Sequence, residues 1–143
     1  MAQPSARPRQ RPGPMKLIDA TQYRLPVAAV VSILHRASGA LMLLLLPFVI
    51  WMFDTSVSSE VSYDVFASAF SSGLGVLPGW LVKIVALALI WAYLHHFIAG
   101  VRHLYMDATH SVTKAFGRQS AVVTLVLSVV LTLALGAKLF GLF

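Results

Sequence analysis

Three apolar runs, each long enough to cross a bilayer, constrain this chain more than any other feature of it. They lie at about Ala28 to Phe53, Leu81 to Leu104 and Gln119 to Leu142. A spanning helix needs roughly 20 such residues, because the hydrocarbon core is about 30 Å thick and a helix rises about 1.5 Å per residue. Hydrocarbon offers no partner to a backbone N–H or C=O, so each run must satisfy its own and is predicted to be helical. With 58% of the 143 residues hydrophobic and 11% charged, little is left for a soluble domain. The expected fold is an all-α membrane protein of three transmembrane helices.

The charges set its orientation. Residues 1–25 carry Arg7, Arg9, Arg11, Lys16 and Arg24 among prolines, with Asp19 the one acid, and read as a basic tail. Residues 26–143 then form the anchor domain. The first connection holds Asp54, Glu60 and Asp64 and no Lys or Arg before Gly79, whereas the second, Tyr105 to Arg118, holds Lys114 and Arg118. Cytoplasmic loops are enriched in Lys and Arg, so the N-terminus is predicted cytoplasmic and the C-terminus periplasmic. The basic residues gather beside spans, so the net charge of +6 needs no nucleic acid to explain it. An Arg-rich start also suits a mitochondrial transit peptide, but the prolines and the missing amphipathic repeat speak against one. No short apolar segment with a cleavage site marks a secretory signal.

Within this frame Pro26 suits the first turn of a helix, and Pro47 predicts a kink near the far end of the first span. In the acidic connection Val61, Val65, Phe66, Ala69 and Phe70 share a helical face, which predicts a short helix lying in the interface. In the third run Thr124, Ser128 and Thr132 repeat at i, i+4 and i+8, a stripe by which membrane helices pack closely.

Ionisable groups within the spans mark function by default, because they are costly in lipid. The first run holds Ser32, His35 and Arg36, and the second holds His95, His96, Arg102 and His103. Ser32 and Arg36 share a face at i, i+4, and His35 points elsewhere. His96, Gly100 and His103 line up at i, i+4 and i+7, while His95 is rotated by about 100° and accompanies Ala99 and Arg102. The two helices run antiparallel, so His35 and His96 reach similar depths in one leaflet. A b-type haem needs an axial imidazole, small residues beneath the ring and cations or donors for its propionates. Arg36, His35, His103 and Arg102 are the candidates for the last role. With no cysteine in the chain, covalent haem attachment, iron–sulfur ligation and thiolate zinc sites are excluded. Spacing alone also permits simple readings, Arg36 snorkelling to headgroups and the histidines as interhelical hydrogen-bonding groups, and it leaves His95 open as an alternative ligand.

Two blocks narrow this choice. Arg24-Leu-Pro with Ser32-Ile-Leu-His-Arg-Ala-Ser38, and His96-Phe-Ile-Ala-Gly-Val-Arg-His-Leu-Tyr-Met-Asp107, resemble the two signatures of the cytochrome b556 membrane-anchor subunits of succinate dehydrogenase. These are the larger anchors of succinate:quinone oxidoreductase, respiratory complex II. Order, spacing and the three-span frame agree, so the resemblance covers nearly the whole chain after Lys16.

The resemblance implies a subunit without flavin, inactive in isolation, within a heteromeric helix bundle in a bacterial inner membrane rather than a mitochondrial one. Its partners would be a flavoprotein subunit carrying FAD, an iron–sulfur subunit carrying the clusters, and a smaller membrane anchor. By the same match His96 would be one axial ligand of the iron of haem b, the other coming from the smaller anchor. Ser32 and Arg36 would line the ubiquinone site, Ser32 donating to a carbonyl and Arg36 stabilising the half-reduced anion. His35, Arg36 and His103 would lie at the haem propionates, and Asp107 would pair with or cap His103 or Arg102. A fumarate reductase oxidising quinol is chemically close, since direction depends on partner potentials. A small proton-coupled transporter is the remaining alternative, disfavoured because no Asp or Glu lies deep in any run.

Overall fold

The computed structural model describes residues 13, 16, 18, 19 and 23–142. Most of the basic tail, including Arg7, Arg9 and Arg11, lies outside the described residues. Five helices follow one another: α1 (Val27–Leu44), α2 (Leu46–Val57), α3 (Glu60–Ser71), α4 (Gly79–Thr109) and α5 (Lys114–Leu139). Three of them, α1, α4 and α5, are long and apolar enough to cross a membrane. The described residues contain no strand, only an isolated bridge between Leu74 and Leu77. The all-helical, three-span expectation therefore holds.

The bounds of the spans shift, each for a local reason. The first run is not one helix to Phe53. It breaks at Leu45 (φ −90°, ψ 3°), and α2 starts with Pro47 in its first turn. Proline has no N–H to give to the turn before it, so the ladder is interrupted at Pro47, as the kink predicted. It resumes with Val49 N–H donating to Leu45 O at 3.0 Å. The 18 residues of α1 reach about 27 Å, within the range of spanning helices though a little short of a full core of about 30 Å, and α2 carries the chain on. The second run extends past Leu104, because α4 continues through Asp107 to Thr109 and ends on His110 in the left-handed conformation (φ 54°). The third starts earlier, at Lys114, where the Thr113 hydroxyl caps the helix by accepting from Phe116 N–H at 3.3 Å.

The connection predicted to hold an interfacial helix contains α3, opened by a reciprocal capping box between Ser59 and Ser62. α2 packs on α3, and α3 in turn packs on α4. Of the five apolar residues on the shared face of α3, Ala69 is buried and Phe66 and Phe70 are partly covered by protein, while Val61 and Val65 are exposed. Apolar periodicity marks a side that avoids water, and it does not say whether lipid or protein covers that side. Gly73 turns the chain between α3 and α4 with φ 105°, in a place where a Cβ would come within 2.2 Å of Leu77 O.

The bundle proper is α1, α4 and α5, each packed on the other two. Its buried centre is small, formed by Val31 of α1, Ala99 of α4 and Ala121 of α5. Small residues let helix backbones approach closely, which in lipid is a main source of helix association. The predicted stripe of α5 is buried at Thr124, Ser128 and Thr132 and extends to Ala121 and Gly136. Thr124 and Thr132 return their hydroxyl protons to the carbonyls of Ser120 and Ser128, at 2.9 and 2.7 Å, so they enter the interface with no unmet donor.

Candidate functional site

Midway along α4 two adjacent histidines face different neighbours, as a rotation of about 100° per residue requires. His95 is wholly buried, in line with Ala92, Ala99 and Arg102. Its Nδ1 lies 3.2 Å from Ser128 Oγ on α5. Nε2 is buried with no partner at hydrogen-bond distance. Trp91, one turn earlier, stacks on this ring with centroids 5.5 Å apart. His95 thus sits among all three spans, enclosed by side chains, with no room for a macrocycle at its nitrogen.

His96 faces α1. Its Nδ1 lies 2.9 Å from the backbone carbonyl of His35 and 3.3 Å from Ser38 Oγ. A carbonyl only accepts, so Nδ1 carries the proton and donates it, and Nε2 holds the free lone pair. Ser38 is buried and gives its own proton to the same carbonyl at 2.8 Å. The His96 ring reaches this position because position 39 is glycine: a Cβ there would lie 3.0 Å from His96 Cε1 and 3.3 Å from Nδ1. Neither Ser38 nor Gly39 stood out in the sequence. The available signal was that Gly39 follows His35 by four residues and so shares its face.

The other predicted residues separate into those that join His96 and those that do not. His35 stacks on His96 with centroids 4.0 Å apart and planes at 15°, and it meets His103 at 5.3 Å and 57°. His35, His96 and His103 therefore form one cluster between α1 and α4, each partly buried. Gly100 lies between His96 and His103 as the spacing required, but the group beside it is His35, whose Nε2 would be 3.6 Å from a Cβ there. Ser32 is half-buried one turn before the cluster on α1. Arg36 is exposed beside it, its Nε donating to Ser32 O at 3.4 Å. Its guanidinium is therefore free to reach a ligand or the membrane surface.

Arg102 does not join the cluster, although His103 follows it directly. Its side chain turns to α5, where Nε donates to Ser120 Oγ at 2.9 Å and an Nη donates to Gly117 O at 3.2 Å. Its bonds go to α5 rather than to Asp107, which is exposed.

Among the described residues no group of three or more His, Asp or Glu side chains is placed to hold a metal ion alone. The chemistry on offer is narrower: one imidazole with its Nδ1 proton held by a carbonyl, two further imidazoles stacked or tilted beside it, and an exposed guanidinium one turn away. Metal-ligating histidines are commonly held in this way, the far N–H on a carbonyl fixing tautomer and ring plane. The residues therefore fit a non-covalent haem that receives one axial nitrogen from this chain, with His35, His103 and Arg36 as donors near its acidic edge.

Known proteins bear on the same point. The family model described as the transmembrane subunit of succinate dehydrogenase and fumarate reductase matches residues 9–135. A succinate dehydrogenase cytochrome b556 subunit of Paracoccus denitrificans is 31% identical over 109 residues, which is 76% of this chain and 78% of that one. One from Coxiella burnetii is 31% identical over 111 residues, covering 78% and 84% of the two chains. A cytochrome b560 subunit of the same enzyme from Reclinomonas americana is 30% identical over 91 residues, 64% of this chain and 62% of that one.

Proposed function

Because this chain belongs to the family of transmembrane subunits of succinate dehydrogenase and fumarate reductase, we propose that it is the haem-binding, quinone-site anchor of a succinate:quinone oxidoreductase. It is a multi-pass membrane protein and a subunit of an enzyme complex, and the soluble flavoprotein and iron–sulfur subunits would carry out succinate oxidation. A smaller second anchor would complete the bundle, in a bacterial inner membrane with the basic tail of residues 1–25 on the cytoplasmic side.

The observation that carries the proposal is the hydrogen bond of 2.9 Å between His96 Nδ1 and His35 O. It fixes the proton on one ring nitrogen and leaves the other for iron; the unpartnered Nε2 of His95 belongs to a ring that is wholly buried in the bundle. Haem b, when bound, supplies a one-electron carrier within the membrane. Towards it this chain would provide His96 as an iron ligand, and His35, His103 and Arg36 would be the donors and cations for its propionates. A neutral His96 is required, because a doubly protonated ring has no lone pair to give.

Quinone reduction takes two electrons and two protons per ring, and Ser32 and Arg36 are placed for its polar end. The Ser32 hydroxyl donates to a ring carbonyl, fixing the head, and the permanently charged guanidinium of Arg36 offsets negative charge on the oxygens until protons arrive. Ser32 lies in the second turn of α1 and Arg36 at its middle, so both are nearer than the α1–α2 break to the end of the bundle that the tail enters. Electrons delivered by a soluble subunit docked on that side would reach the quinone there without crossing the membrane. Succinate-driven ubiquinone reduction by the purified complex, compared with reduction of a water-soluble acceptor, tests the assignment. Failure of the first with the second intact in Ser32 and Arg36 variants supports it, and parallel loss of both contradicts it.

A further inference from the structure

Arg102 is placed in the bundle as no reading of the haem or quinone site requires. It is only 9% exposed, and it contributes to a groove of about 430 Å³ between α4 and α5 that opens to the lipid side. Its two bonds, to Ser120 Oγ and Gly117 O, go to neutral groups, and no carboxylate pairs with it among the described residues. A guanidinium carries five donors, so these two bonds leave it short of partners as well as uncompensated in charge.

The walls of the groove are graded. Ile98 and Val123 line it towards the bundle centre, and Tyr105, Phe116 and Gln119 line its mouth, the end towards the α4–α5 connection. Arg102 lies seven residues before the end of α4, about 10 Å from it along the axis, close to where headgroups meet hydrocarbon. Lys114 and Arg118 do not line the groove but are exposed on the first turns of α5, near that end, where the helix N-terminus adds partial positive charge. Asp107 is the one acid between Arg102 and the end of the chain. A ligand that fits has an anionic head at the mouth and a long apolar body running inward.

We propose that the α4–α5 groove is a binding site for one anionic phospholipid, its phosphate on Arg102 and an acyl chain along Ile98 and Val123. The occupant follows from charge complementarity. A zwitterionic lipid would bring its own cation to a groove whose one charged lining residue is Arg102, and a partner helix would have to bring a carboxylate to this depth. The lipid would supply the missing acceptors of the guanidinium and tie α4 to α5 on the face away from the His35, His96 and His103 cluster.

The complete membrane complex, purified in mild detergent, tests this by native mass spectrometry after exchange into phosphatidylglycerol or phosphatidylcholine. The wild-type complex is expected to retain one phosphatidylglycerol per copy of this chain through washing that removes phosphatidylcholine. Loss of a charge-assisted contact in Arg102→Gln should weaken retention about tenfold, with haem absorbance unchanged. Lys83→Gln, at the opposite end of α4, should retain the lipid. If Arg102→Gln does not assemble, Val123→Trp obstructs the groove while leaving both Arg102 bonds in place, and it should lose the lipid equally. Retention of neither lipid by the wild type, as a partner helix seated in the groove would give, overturns the proposal. Equal retention of both lipids overturns it too, as does undiminished retention in Arg102→Gln or Val123→Trp.

Discussion

The Nδ1 proton of His96 is held by the backbone carbonyl of His35, 2.9 Å away on the neighbouring helix, while the two imidazoles stack with centroids 4.0 Å apart. A main-chain acceptor is a rigid one, since it moves only if α1 moves. The ring plane of the proposed iron ligand is thereby fixed by the helix that also carries Ser32 and Arg36, so the haem and quinone ends of the site share one support.

Gly39→Ala should disturb this arrangement without removing any ligand. The added methyl would lie 3.0 Å from His96 Cε1, and forcing one methylene into a packed contact costs about 1–3 kcal/mol. The expected outcome is a complex that assembles with reduced haem content or a broadened, shifted α band. An unchanged spectrum at full occupancy would mean that His96 does not take this position in the complex.

Ser32→Ala and Arg36→Ala should each lower ubiquinone reduction by about tenfold or more, as removal of a polar group acting on developing charge generally does. Reduction of a water-soluble acceptor by succinate should stay near the wild-type rate. Arg36→Lys should recover part of the loss, because the charge remains while the planar fork does not. Equal loss of both activities would indicate failed assembly.

How much of this was legible in the sequence depended on whether a feature rests on one helix or on two. The stripe of Thr124, Ser128 and Thr132 and the break near Pro47 are properties of single helices, and period and proline chemistry revealed them. The grouping of His96 with His103, apart from His95, followed from rotation per residue alone. Which neighbour each face meets was not legible. Arg102 and His103 are adjacent in the chain yet serve different interfaces, and Gly39 gains its meaning only from the His96 ring placed against it. The shared face of Val61, Val65, Phe66, Ala69 and Phe70 was legible as apolar, but which of these residues meet protein was not, because lipid exposure and burial impose the same apolar pattern.

Ser128→Ala removes the one side-chain partner of His95 and leaves a buried imidazole with an unmet Nδ1. Interhelical hydrogen bonds in membranes are worth about 0.6–2 kcal/mol, so the variant complex should lose that much stability. Thermal inactivation at a lower temperature, with the haem band intact in the surviving fraction, is the expected result. Loss of the band before any loss of stability would assign His95 a direct role at the haem.

The central claim is that His96, and not His95, gives its Nε2 to haem iron. A reduced-minus-oxidised visible spectrum of the purified complex, taken with succinate and then dithionite for wild type, His95→Ala and His96→Ala, tests it most directly. The account predicts a sharp low-spin b-type α band in the wild type, the same band at lower yield in His95→Ala, and its loss in His96→Ala. An intact band in His96→Ala, or none in the assembled wild-type complex, would contradict it.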